Sequence, residues 1–352
     1  MPQWQWCYYM SSILSKFPYA HGQPVGNAKI RQSAADFQVI ENLGYEAEGE
    51  GEHAFLLIQK NNLNTQDVVR RLSRLADVKD MNIGFAGLKD RVAETTQSFS
   101  IHLPGKPDPD WGEIEDEKLT VLKAARHKRK IRRGSLRGNH FKLVLRDVDG
   151  DQGQFDEQLQ KLRQYGVPNY FGEQRFGRDG DNLNKAEKMF AQGSKRPKRH
   201  LRSILISAAR SWIYNQVLAE RIRQRNWDQL LDGEVLLLNG SNRQFADDPE
   251  DAELVVRMAQ GDIHPSGPLP GKAGHALGPQ RDAKLLEDAV MLEYAQWIEG
   301  LERMGVDQDR RPLRMVAEDL QWEFAPQSLT LRFSLQSGCY ATSLLRELVT
   351  IL

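Results

Sequence analysis

Hydrophobic positions along the chain change period twice. In HAFLLIQK (53–60) and SFSIHL (98–103) apolar residues alternate or run together, which predicts strands. KIRQSAADFQVIE (29–41) ends the same way, with Phe37, Val39 and Glu41 on one face. LTVLKAARHK (119–128) and NHFKLVLRDV (139–148) read as strands too. Among them NLNTQDVVRRLSRLADV places Val68, Val69, Leu72 and Leu75 at helical spacing behind an Asn64 or Thr65 cap. From about Gln154 the helical period takes over. It covers 155–166 up to Gly166, then 182–193, 203–225, 247–261 and 282–305. HPSGPLPGKAGHALGP (264–279) is rich in Gly and Pro and predicts a loop. Strands return in 313–324 and 328–338, and a last helix starts near Ala341. Strand-rich, helix-rich, strand-rich is the order left by one domain inserted into another, or by two sequential domains plus a terminal hairpin.

Composition narrows the class without naming it. The 352 residues are 40% hydrophobic and 27% charged, ordinary for a globular chain. No run approaches the ~18 apolar residues of a membrane span. The N-terminus lacks the basic and apolar regions of a signal peptide, so the expected location is cytoplasmic. Cys7 and Cys339 are too few and too far apart for a disulfide framework or a zinc site. His53, His102, His264 and His275 lack ligand spacing. No phosphate-binding loop, dinucleotide-binding Gly-rich turn, HExxH or nucleophile elbow is present, so no cofactor is expected.

Charge changes the picture only through its distribution. Lys+Arg and Asp+Glu are equal at 48 each. Yet the window 118–146 holds no acid while it carries Arg126, His127, Lys128, Arg129, Lys130, Arg132, Arg133 and Arg137. A second cluster is Lys195, Arg196, Lys198, Arg199, His200 and Arg202. Such runs suit a phosphate backbone, though a solvated loop has the same composition. Trp4, Trp6, Tyr8 and Tyr9 offer rings for stacking, or simply pack. In GFAGLKDRVAETTQ, Gly84 and Gly87 allow a close approach near Lys89 and Asp90. Asp90 is either a surface acid in a turn or a held nucleophile.

Four segments then act together: AGLKDRVAETTQ (86–97), ARHKRKIRRGSLRGNHFKLVLR (125–146), GVPNYFGEQRFG (166–177) and GCYATSLLREL (338–348). They resemble, in order, the signature segments of the TruD family of tRNA pseudouridine synthases, from about Tyr19 to the end of the chain. The resemblance implies an α+β fold: a catalytic domain with a mixed central sheet, interrupted by a mostly helical α/β domain. The implied limits are 19–165 and 312–352 for the catalytic domain and 166–311 for the insertion, after an extension of unknown role, 1–18. It implies isomerisation of uridine to pseudouridine in tRNA, at position 13 of the D arm. The pattern carries no oligomer signature, so a monomer is expected. A non-catalytic RNA-binding protein or RNA chaperone on the same fold is the alternative.

By the same resemblance Asp90 is the catalytic residue, Phe141 the ring that stacks on a flipped-out base, and Asn139 a hydrogen-bonding neighbour. Arg346 is the expected cation beside Asp90, with Lys89 behind it. Phe37 and Glu41 would line the site. The basic run and Arg199 would contact RNA.

Overall fold

A computed structural model describes residues 13–191, 197–248 and 251–352. The first part of the chain contains β1 (Gly26–Lys29), β2 (Phe37–Asn42), β3 (His53–Asn61), α1 (Thr65–Leu75), β4 (Ile83–Gly84), β5 (Glu94–His102), β6 (Leu119–His127), β7 (Gly138–Gly150) and α2 (Gln152–Tyr165). Next come β8 (Val167–Pro168), α3 (Asp181–Ala191), α4 (Arg199–Arg223), β9 (Val235–Leu238), β10 (Gln244–Ala246), α5 (Glu253–Ala259) and β11 (Ile263–Leu269). The chain closes with α6 (Arg281–Leu292), α7 (Ala295–Arg303), β12 (Asp309–Pro312), β13 (Arg314–Met315), β14 (Glu318–Ala325), β15 (Ser328–Gln336), α8 (Ala341–Arg346) and β16 (Val349–Ile351).

One mixed sheet of ten strands runs β14-β15-β7-β2-β5-β3-β6, with β1, β16 and β4 on its margins. Its strands come from both ends of the chain: β15 pairs antiparallel with β7 from Ser328–Arg146 to Gln336–Gly138. Between these parts the chain builds a separate sheet, β10-β9-β11-β12, among helices. The strands that flank this excursion, β8 and β13, pair with each other.

Two apolar cores cover the large sheet. Phe37, Val39, Leu143, Leu329 and Leu331 pack with Phe155, Leu159 and Leu162 of α2 and Leu344 and Leu345 of α8. Leu56, Ile58, Phe99 and Ile101 pack with Val68, Val69 and Leu72 of α1, the residues its spacing predicted. Where these cores adjoin, at β2 and β5, buried side chains turn polar: Glu41, Thr95 and Gln97.

Three local expectations fail. His264 to Leu269, expected as loop, belong to the buried strand Ile263–Leu269. Its Gly267 has a packing reason, since a Cβ there would meet Leu313 at 2.8 Å. The helix expected over 282–305 breaks at Glu293 and Tyr294 into α6 and α7. The last helix stops at Arg346, and β16 joins the sheet parallel to β1. Trp4, Trp6, Tyr8, Tyr9, Cys7, Lys195 and Arg196 lie outside the described residues.

Candidate active site

Asp90 stands in the irregular stretch between β4 and β5, six residues beyond the end of β4. Its Oδ2 accepts a hydrogen bond from Arg31 Nη2 at 2.5 Å. The carboxylate side chain is 41% exposed and the arginine 19%. One side of the carboxylate thus rests on a cation while the other stays open to an incoming molecule. Arg31 itself has left-handed backbone, φ 55. Its guanidinium carbon lies 4.0 Å from the Phe37 ring centroid, a cation–π contact that fixes its plane.

The neighbouring Lys89 turns to different partners. Its Nζ donates to Asn139 Oδ1 at 2.6 Å and forms an ion pair with Glu41 Oε1 at 3.2 Å. Glu41 Oε2 accepts from the Ser98 N–H at 3.0 Å. Burial lowers the Lys89 pKa, and the Glu41 charge opposes that shift. β-sheet register accounts for the meeting, because Glu41 of β2 lies opposite Asn139 of β7. An ammonium only donates, so this contact turns the Asn139 oxygen to Lys89 and leaves its amide NH2 to donate elsewhere.

An aromatic wall spans three strands beside this pair. Phe37 of β2 meets Phe141 of β7 edge-on at 6.3 Å, and Phe141 stacks on Phe333 of β15 at 5.3 Å. Phe141 is half-buried, whereas Phe37 and Phe333 are buried. The structure thus brings Asp90, Lys89, Glu41, Asn139, Phe37 and Phe141 into one region.

Arg346 is not the cation beside Asp90. Its guanidinium donates to the Pro18 carbonyl at 3.2 Å, to the Leu14 carbonyl at 3.3 Å and to that of Phe17. It also pairs with Glu347 at 2.8 Å and lies 4.0 Å from the Tyr19 ring centroid. Its two terminal nitrogens thus tie Pro18, Leu14 and Phe17 to Glu347. Arg31 fills the role expected of it. Arg31 appears in the sequence only as one base ahead of DFQVIE, and nothing local marked it.

The acid-free window divides on folding. His127 is 6% exposed and stacks on Tyr45 at 5.5 Å, so it is part of the packing and not a phosphate contact. Arg126 pairs with Asp108 at 2.9 Å and donates to the Lys106 carbonyl. Lys128 pairs with Glu50 at 2.6 Å and with Glu48 at 3.7 Å. Lys130 donates to the Met81 carbonyl, and Arg133 lies 3.5 Å from the Phe85 ring centroid. Arg129, Arg132 and Arg137 are exposed and form no ion pair among the described residues. Arg199 and Arg202 border an open cavity of about 450 Å³ with Arg210, Ser203 and Ser207. Gly84 has the steric reason expected of it, because a Cβ would meet the Ile131 carbonyl at 2.3 Å. At Gly87 a Cβ would meet no atom of the described residues within 4 Å, so no backbone approach there calls for glycine.

Among the described residues no cluster of three or more His, Cys, Asp or Glu could hold a metal ion. No helix there is long and apolar enough to cross a membrane.

Relatives place this geometry. The family model described as tRNA pseudouridine synthase D (TruD) matches residues 14–182 and 180–348. A protein named tRNA pseudouridine synthase D from Hydrogenovibrio crunogenus is 44% identical over 96% of this chain and 97% of its own. One of the same name from Nitrosococcus oceani is 45% identical over 94% of this chain and 93% of its own. A solved structure from Methanosarcina mazei that bears the TruD name superposes with a TM-score of 0.71. It covers 94% of this chain and 95% of its own at 21% identity, which supports the same α+β fold. On these matches the chain belongs to the tRNA pseudouridine synthase D (TruD) family of isomerases.

Proposed function

We propose that the protein isomerises uridine to pseudouridine in tRNA, at position 13 of the D arm, with Asp90 as the acting carboxylate. The observation that carries this reading is the half-exposed Asp90 carboxylate on Arg31, beside the Phe37–Phe141 wall, in a chain of this family. The reaction breaks the C1′–N1 bond, turns the base and forms a C1′–C5 bond; C5 releases its proton and N1 gains one, so no net atom or electron is gained or lost. The uridine leaves its stack to reach the carboxylate. Asp90 acts on the ribose or the base, Arg31 holds its carboxylate by the ion pair, and Phe141 stacks on the extruded base. Asn139 donates its free amide hydrogens to that base. Lys89 and Glu41 orient Asn139 and do not themselves need to touch substrate.

We further infer that residues 166–311 act as an inserted domain between the catalytic segments 19–165 and 312–352. The pairing of β8 with β13 at the neck of the excursion supports those limits. RNA would run past Arg129, Arg132, Arg137 and Arg199. Other residues of the basic run hold structure more than phosphate. The protein would work as a monomer in the cytoplasm.

The test is to incubate uridine-containing tRNA transcripts with the protein and map pseudouridine by carbodiimide modification and primer extension. A stop at position 13 is expected. Product confined to another site contradicts the D-arm assignment, and none at all contradicts the activity.

A further inference from the structure

Three buried polar side chains grip the backbone of the stretch that carries Asp90, and no step above employs them. Lys60 of β3 is 1% exposed. Its Nζ donates to the Asp90 carbonyl at 3.0 Å and to the Leu63 carbonyl at 2.7 Å. Thr65, at the start of α1 and 1% exposed, accepts through Oγ1 from the Lys89 N–H at 3.0 Å. The same hydroxyl donates to Gln97 Oε1 at 3.1 Å. Gln97 of β5, fully buried, donates from Nε2 to the Gly87 carbonyl. Between Gly87 and Asp90 only Leu88 is free of this grip, and it is 71% exposed.

The placement is costly. A buried amide or hydroxyl is unfavourable unless hydrogen-bonded, and a buried ammonium more so. Burial lowers the Lys60 pKa to about 8. Apolar residues would fill the same space at less cost, yet β3, α1 and β5 each supply one polar side chain to a single four-residue turn. The turn has no regular secondary structure, so these side chains set its path.

We propose that Lys60, Thr65 and Gln97 are positioning residues for the isomerisation. They fix the backbone of Gly87–Asp90 so that the Asp90 carboxylate meets its reacting atom in register. The proposal rests on Asp90 being the acting carboxylate. A displacement of about 1 Å at such a group can cost on the order of a hundredfold in rate.

The test uses the full chain and a tRNA transcript, with single-turnover rates and filter-binding affinities. Thr65→Val keeps the shape and removes the hydroxyl; Thr65→Ser keeps the hydroxyl. Thr65→Val and Lys60→Met should slow turnover by roughly ten- to a hundredfold while tRNA affinity holds, and Thr65→Ser should turn over near the wild-type rate. Wild-type rates in Thr65→Val and Lys60→Met overturn the proposal. So does an equal loss in Thr65→Val and Thr65→Ser, which traces the effect to packing. Should Thr65→Val fail to fold by circular dichroism, Lys60→Met decides on the same criterion. Asp90→Asn, run alongside, separates the two readings. An inactive Asp90→Asn with a fully active Thr65→Val removes only the positioning role. An active Asp90→Asn removes both.

Discussion

Arg31 reaches Asp90 from a backbone conformation that side-chain-bearing residues seldom adopt. That conformation aims its guanidinium across the Phe37 ring and onto the carboxylate. Such local strain is kept where the surrounding structure over-determines it, often at a working site. Arg31→Met should therefore lower single-turnover rate by about a hundredfold, the scale of removing one charge-stabilising group from a reaction centre. Affinity for tRNA should change little, because one cation among many phosphate contacts is lost. A rate unchanged from wild type would show that Asp90 needs no such neighbour. Two adjacent residues, Lys89 and Asp90, thus turn to separate partners: Lys89 to Asn139, Asp90 to Arg31.

At the scale of elements, α8 explains why a late arginine misled the reading of the site. Arg346 and Glu347 tie the N-terminal segment to the body. Glu347 Oε2 accepts from the Ala20 N–H at 2.9 Å and the His21 N–H at 3.3 Å. Phe17 then packs with Tyr170 and Trp212 in the core around α4. Burial is the largest influence on Glu347 and raises its pKa from 4.5 to about 7, with Arg346 and the two backbone donors opposing it. A pKa raised on folding means that the native state binds the proton more tightly. The stabilisation is full below the unfolded value and lost as pH rises through the folded one. Thermal midpoints should therefore fall between about pH 4.5 and 7 on this group's account. A Glu347→Gln variant, followed by calorimetry across that window, should show a flatter curve. An identical slope would assign the titration elsewhere.

The elements also show what was legible. The apolar patterning found β2, β3, β5, β6 and β7, although only β2 alternates cleanly in burial and the interior of β5 is buried on both faces. Asp90, Lys89, Asn139 and Phe141 were readable through their motifs. The ion pair to Arg31 was not, since it joins residues 59 apart and depends on one backbone twist. β11 was missed because Gly267 and its prolines read as loop, although close packing requires the glycine.

For the whole molecule, charge must be counted in space and not along the chain. The basic window around Arg126–Arg137 has no acid within it, but the fold lays Glu46, Glu48, Glu50 and Asp108 against Lys123, Lys128 and Arg126. Exposed pairs of this kind contribute little to stability, yet they reduce the field an RNA meets. Arg129→Glu with Arg132→Glu should weaken tRNA binding across all transcripts and reduce the slope of log affinity against log salt by about one per lost contact. Lys128→Glu should change that slope less, because its charge is already countered. The reverse order, measured by filter binding over a salt series, would place the phosphate path through Lys128 instead.

Single-turnover conversion of a tRNA transcript by Asp90→Asn decides whether Asp90 is the acting carboxylate. The substitution keeps size and removes the charge that Arg31 meets. With the variant saturated by bound tRNA, no pseudouridine above background is expected while wild type converts the transcript. Pseudouridine formed by Asp90→Asn at the wild-type rate would contradict that role.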